Sequence, residues 1–205
     1  MKLEIVPRPA YEGRRAALQF YNPGMIAADE LRIERLSSRD LAEVRGALVH
    51  LLRECVHAGA SLGFLAPLAD SEADEYWRSI APQVASGWRV VIVVREGEGG
   101  GVVGSGQLVF ESRSNGRHRA EVSKVLVLPS HRHRGLGSRI MGELERTARE
   151  RSIRLLFLDT SEGHGGACGL YERLGYSYAG GIPEWALDPD GTPAKNAIFY
   201  KLLTP

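Results

Sequence analysis

The stretch AEVSKVLVLPSHRHRGLGSRIM, residues 120–141, constrains this chain more than any other part of it. An apolar run over 120–128 reads as a strand and stops at Pro129. Two His-Arg pairs follow, and Gly135-Leu136-Gly137 leads into a segment where Ile140, Leu144 and Ala148 recur at helical spacing. A strand that hands over to a helix through glycines leaves the first-turn amides free at the positive end of the helix dipole. Such a turn suits a phosphate group, and the arginines around it add charge of the right sign.

The rest of the chain supplies the setting. With 205 residues and 43% hydrophobic content, one well-filled core is expected. Residues 1–30 have no clear period and carry Pro7, Pro9, Gly13, Pro23 and Gly24, so they read as an extension before a domain at 31–205. Within that domain, 31–36 alternates like a strand. Ser37 or Ser38 can cap a helix that buries Leu41, Val44, Leu48, Leu51, Leu52 and Cys55. Ser71 begins a second helix with Tyr76, Ile80 and Val84 in line, kinked at Pro82 and ended by Gly87.

Strands follow at 88–95 and 102–110, then at 120–128 after an Asn115-Gly116 pair that reads as a tight hairpin turn. A helix over 135–151, an apolar strand at 154–159, a short helix around Leu170–Leu174 and a last strand at 196–203 complete the series. This order predicts an α/β chain with a mixed sheet and helices on both faces.

Several function classes drop out. Net charge is +1, from 26 basic and 25 acidic residues, which predicts neither nucleic-acid nor membrane-surface binding. Cys55 and Cys168 make neither a disulfide framework nor a zinc pattern, and no apolar run reaches membrane-spanning length. A soluble, cytoplasmic protein is expected. Gly99, Gly101 and Gly104 spell G-x-G-x-x-G, but between two strands, where a dinucleotide fingerprint does not work. No G-x-x-x-x-G-K-[ST] occurs. His131 and His133 have no third partner at metal spacing, so no metal site is expected.

Arg132-x-x-Gly135-x-Gly137 after Val127-x-Pro129, followed by Leu-Tyr-Glu-Arg-Leu-Gly-Tyr at 170–176, resembles the GCN5-related N-acetyltransferase (GNAT) superfamily. The likeness covers roughly 31–203, with the elements in the family's order. Segments 56–64, 120–129, 158–160 and the C-terminal tail look most like the tabtoxin resistance protein group. The resemblance implies a GNAT fold with a mixed, mostly antiparallel sheet, and acetyl-CoA as co-substrate.

By the same resemblance, the pantetheine arm lies along Val125, Leu126 and Val127, hydrogen-bonding the strand's backbone as an added strand would. The pyrophosphate rests on the amides of His133, Arg134, Gly135, Leu136, Gly137 and Ser138, with Arg132 or Arg134 beside it. His164 stands where the family often has an Asn that touches the cofactor; a His can also donate a hydrogen bond there.

Acetyl transfer to an amine needs a neutral nucleophile and a proton for the departing thiolate. Tyr171 matches the family's general acid, and a phenol keeps its proton at neutral pH. Glu121 and Asp159 close the list of catalytic candidates. Each can act as the base, bind a substrate ammonium or cap a strand end. His57, Ser61 and Trp185 flank glycine- or proline-rich loops and are expected to line the acceptor pocket. Cys168 reads as a packing residue.

The expected acceptor is a primary amine on a small, amino-acid-like molecule, as in toxin or antibiotic detoxification. Alternatives are a protein N-terminus or lysine, or a non-catalytic acyl-CoA-binding module. A homodimer is implied by the resemblance alone.

Overall fold

The computed structural model describes residues 31–97, 99–162 and 167–204. The extension expected over 1–30 and His164 lie outside the described residues. Strand β1 (Leu31–Arg35) leads into helix α1 (Ser38–His57). Of the two serines, Ser37 is the cap. Its hydroxyl accepts from the Asp40 amide at 3.2 Å, and the Asp40 carboxylate accepts from the Ser37 amide at 3.0 Å. Such a reciprocal cap is worth about 1 kcal/mol.

Helix α2 (Asp70–Ala85) begins one residue before Ser71, without a side-chain cap; Asp70 and Glu72 sit in its first turn, where the dipole favours negative charge. Trp77, fully buried, is the centre of its inner face, and Tyr76 packs at the edge.

β2 (Arg89–Glu96), β3 (Val102–Phe110) and β4 (Arg119–Val127) form an antiparallel meander. α3 (Leu136–Glu150) then crosses over to β5 (Leu155–Ser161), which runs parallel to β4. α4 (Ala167–Arg173), β6 (Ser177–Gly180), a small hairpin of β7 (Ala186–Leu187) with β8 (Pro193–Ala194), and β9 (Asn196–Leu202) follow. The main sheet has the order β1-β2-β3-β4-β5-β9-β6. The β4–β5 pair is parallel and the other neighbours are antiparallel. The expected fold class holds.

The sheet separates two cores. On one face, Leu48 and Leu52 of α1 and Trp77 of α2 pack on Val91 and Val93. On the other, Ile140, Leu144 and Tyr171 pack on Ile92, Leu108 and Phe199. Trimming one of these side chains to alanine is expected to cost about 2–5 kcal/mol.

One local reading changes. Asn115-Gly116 is no two-residue hairpin turn; it lies in a 3₁₀ turn, Ser114–Gly116, within a longer connection. The Glu111 carboxylate organises that connection, accepting from the Arg113 amide at 3.0 Å and from Arg119 at 2.9 Å. Gly99 and Gly101 lie in the β2–β3 connection and Gly104 inside β3, which disposes of the dinucleotide fingerprint.

Candidate active site

β4 carries one residue more than its partner. Gln107 stands opposite Ser123 and Ser105 opposite Leu126, so two steps along β3 match three along β4. The extra residue is Lys124, with φ 49, in the left-handed region that a non-glycine residue enters only at a cost. The bulge bends β4 away from β5. Pairing between them covers Arg119↔Leu155, Ala120↔Leu156 and Glu121↔Phe157 and goes no further. From Val122 to Val127, β4 therefore faces β5 across a gap, with an edge free to accept an extended ligand as an added strand.

That gap is a cleft of about 540 Å³. At one end it meets the turn before α3. His133 (φ 62) and Gly135 (φ 76) are left-handed, and successive amides there form a concave nest. Gly135 is the N-cap of α3 and offers no side-chain acceptor. The amides of His133 to Ser138 donate to no backbone carbonyl among the described residues. Gly137 is needed for packing: a Cβ there would stand 3.0 Å from Leu170 Cδ2 of α4. Arg132 Nε donates to the Val127 carbonyl at 3.4 Å, bracing the end of β4 while its side chain lines the cleft. His131 faces Glu96 of the neighbouring hairpin at 3.5 Å, which ties the turn to the β2–β3 connection.

A run of open strand edge ending in a nest of free amides is the shape of an extended arm followed by a diphosphate. The donor set is backbone N–H and guanidinium, suited to phosphate oxygens.

The other end holds the titratable groups. Along β2 and β3, Arg89, Val91, Gln107 and Ser105 share the face covered by α1 and α2, and register places Glu121 and Ser123 on that face too. Asp159, at the end of β5, completes the group across the gap. Burial, then the negative charge of Asp159, pushes the Glu121 carboxyl above its ordinary range. Tyr171 of α4 approaches from the opposite face. It is 7% exposed, packed edge-on to Tyr176 with centroids 6.0 Å apart, and lines the cleft. Burial, with Cys168 and Asp159 nearby, pushes its phenol up to about 12, so it holds its proton at any physiological pH.

Most of the expected site residues converge. Val125, Leu126, Val127, Arg132, His133, Gly135, Leu136, Gly137, Ser138, Glu121, Asp159, Tyr171, Ser61 and Trp185 all line the one cleft. Arg134 does not; it is exposed, outside the cleft lining, which leaves Arg132 as the arginine at the turn. His57 is also outside the lining. Its Nε2 accepts from the Leu68 amide at 3.0 Å, so it anchors the loop whose residues Ala58 to Gly63 form a cleft wall. Cys168 Sγ lies 3.8 Å from the Ser161 carbonyl, a packing contact. Among the described residues, no group of three His, Cys, Asp or Glu is placed to hold a metal ion. No described helix is long and apolar enough to cross a membrane.

Lys124 escaped sequence reading. Its position in an alternating strand predicts a core-facing residue on the α3 side, and nothing in the pattern marks the bulge that turns it into the cleft.

The acetyltransferase (GNAT) family profile matches residues 47–176. The chain belongs to that family. An uncharacterised N-acetyltransferase encoded in the hisH–hisA intergenic region of Azospirillum brasilense is 32% identical over 135 residues, covering 64% of this chain and 74% of that protein. Among solved structures, yncA of Salmonella typhimurium, determined with its cofactor acetyl-CoA, superposes with a TM-score of 0.69 at 19% identity, covering 85% of this chain and 95% of that one. A GNAT superfamily phosphinothricin acetyltransferase from Sinorhizobium meliloti, in complex with acetyl-CoA, gives a TM-score of 0.67 at 20% identity, covering 85% and 89%. With GNAT membership, the protein is an N-acetyltransferase.

Proposed function

We propose that this protein transfers the acetyl group of acetyl-CoA directly to the primary amine of a small, amino-acid-like molecule, in the manner of the tabtoxin resistance group. What supports the reading above all is the open β4 edge running straight into the amide nest before α3, with Tyr171 facing the same cleft.

Val125 to Val127 hold the extended arm and the turn at 133–138 holds the diphosphate. Acetyl-CoA supplies the thioester. Glu121, raised in proton affinity by burial and by Asp159, takes the proton of the acceptor ammonium, directly or through one water. The neutral amine nitrogen then bonds to the acetyl carbon as the C–S bond breaks. Tyr171 Oη gives its proton to the departing sulfur, and the nitrogen releases its second proton as the amide forms, returning the tyrosinate to a phenol directly or through one water. Asp159 attracts and orients the cationic acceptor.

A small acceptor fits the walls. Loop 58–63 and Trp185 flank a cleft that must also take the cofactor arm. A homodimer belongs to the same reading, through the resemblance to the tabtoxin resistance group, and light scattering decides it.

The function is tested by following free thiol release from acetyl-CoA with a panel of amino-acid-like amines, peptides with free N-termini and lysine peptides. Turnover with small amines is expected. Efficient acetylation of the peptides alone overturns the acceptor class, and binding without turnover of any amine leaves an acyl-CoA-binding module.

A further inference from the structure

Lys124 lines the cleft with Glu121 and Asp159 but makes no direct ion pair with either. Among the described residues it has neither an ion pair within 4.0 Å nor a hydrogen bond; its Nζ stands over the Tyr76 ring, 5.3 Å from the centroid, and Glu121 and Asp159 act on it only at longer range. Desolvation, then the nearby Arg89, lowers its proton affinity, and Glu121 and Asp159 offset part of that fall. A half-buried cation that keeps a strained backbone and makes no direct ion pair is an expensive arrangement for stability alone.

The ground beneath it is built. Gln107 is fully buried, and its Oε1 accepts from the Tyr76 hydroxyl at 3.0 Å and from Arg89, while Arg89 Nε also donates to Gln83 at 2.9 Å. Tyr76 and Arg89 are thereby fixed under Lys124, and the Gln107 amide nitrogen is left without an acceptor. This end of the cleft therefore presents two carboxylates, Glu121 and Asp159, beside the Lys124 ammonium, which rests on a braced layer of Tyr76, Gln107 and Arg89.

We propose that Lys124 recognises an oxyanion, a carboxylate in the simplest case, carried by the same molecule whose amine is acetylated. Glu121 and Asp159 receive the ammonium, and Lys124 receives the anion a few ångströms further along β4. Glu121 and Lys124 are three residues apart, roughly 10 Å of regular strand and less at a bulge, so their long side chains converge over a compact dipolar molecule. The β4 bulge thus serves two ends: it opens the gap to β5 and aims Lys124 into it. This assignment rests on the acetyl-transfer reading for which end of the cleft receives the acceptor.

The test uses α-amino acids and the same compounds as C-terminal amides, matched in everything but the negative charge. Binding to the CoA-saturated protein is measured by calorimetry, and kcat/KM is measured with acetyl-CoA. Wild type should prefer the acids. Lys124→Met should weaken acid binding about 10- to 100-fold, the usual worth of a charge-assisted hydrogen bond, and leave the amides unchanged. Lys124→Arg should retain the preference, and both variants should keep the melting shift induced by acetyl-CoA. Equal binding of acids and amides by wild type, or equal weakening of both in Lys124→Met, overturns the proposal. Acid-selective binding through Lys124 without acetylation of any amine leaves the anion site standing and removes the transfer reading. Acetylation without acid preference does the reverse.

Discussion

The two ends of the cleft are made in different ways. The end proposed for the diphosphate is mostly backbone: amides of one short turn, presented because Gly135 adopts φ 76 and α3 begins there. The end proposed for the acceptor is mostly side chain, drawn from β4 and β5, with Tyr171 reaching in from α4 on the opposite face. A backbone site is encoded by a few neighbouring residues. A side-chain site depends on register, bulge and packing, and can change its ligand while the fold stays.

Damage to the backbone end should have the largest effect. Acetyl-CoA at 100-fold excess over its Kd is expected to stabilise the wild type by about 2.7 kcal/mol. Gly135→Asp should abolish that shift together with all turnover. Gly135→Ala pays the same left-handed φ cost without the charge, so it should lose folding stability yet keep part of the shift. Thermal melts of the three proteins check this. An undiminished shift in folded Gly135→Asp would remove the diphosphate from this turn.

Next in size is Tyr171→Phe, which removes a proton and little packing. Acetyl-CoA affinity should persist while kcat falls about 10²- to 10⁴-fold, the usual worth of general acid catalysis. Equilibrium binding and steady-state rates on one preparation separate the two quantities. A wild-type kcat would make Tyr171 a core residue.

The acidic pair gives a smaller and more particular signature. Glu121 must be ionised to accept a proton, and its proton affinity is raised, so kcat/KM should fall as pH drops through a pKa above that of an ordinary glutamate. Asp159→Asn removes a neighbouring negative charge that contributes to the rise. The acidic limb should then move to lower pH, with KM increased for a cationic acceptor. Glu121→Gln should lower kcat and erase the limb. An unmoved limb in Asp159→Asn would separate the two carboxylates.

The smallest effect concerns the wall. His57→Ala leaves the Leu68 amide without its acceptor, which should cost about 1 kcal/mol. It should change the acceptor KM a few-fold through loop 58–63, with kcat nearly unchanged. Urea melts and acceptor titrations read both.

Much of the fold was legible beforehand because its signals are local. The helix over Leu136–Glu150 follows from apolar spacing and flanking glycines, and Ile140, Leu144 and Ala148 are buried as the period requires. The family profile's span over 47–176 holds the same turn and the Tyr171 segment. Small elements were harder to read. The β7–β8 hairpin has two residues per strand, too few for any period to show. Asn115-Gly116 carried a turn signal, but the Glu111 carboxylate, not the dipeptide, sets the course of that connection.

The sequence by itself determined the glycine turn, the order of helices and strands, and the identity of Tyr171, because backbone conformation and apolar period act over a few neighbouring residues. The tertiary structure alone decided that Arg132 and not Arg134 lines the cleft, that His57 braces a loop, and that Lys124 joins Glu121 and Asp159. Each of these depends on which way a side chain leaves its element. One extra residue in β4 reverses that direction, and a bulge is fixed by the strands on either side rather than by the residues it contains.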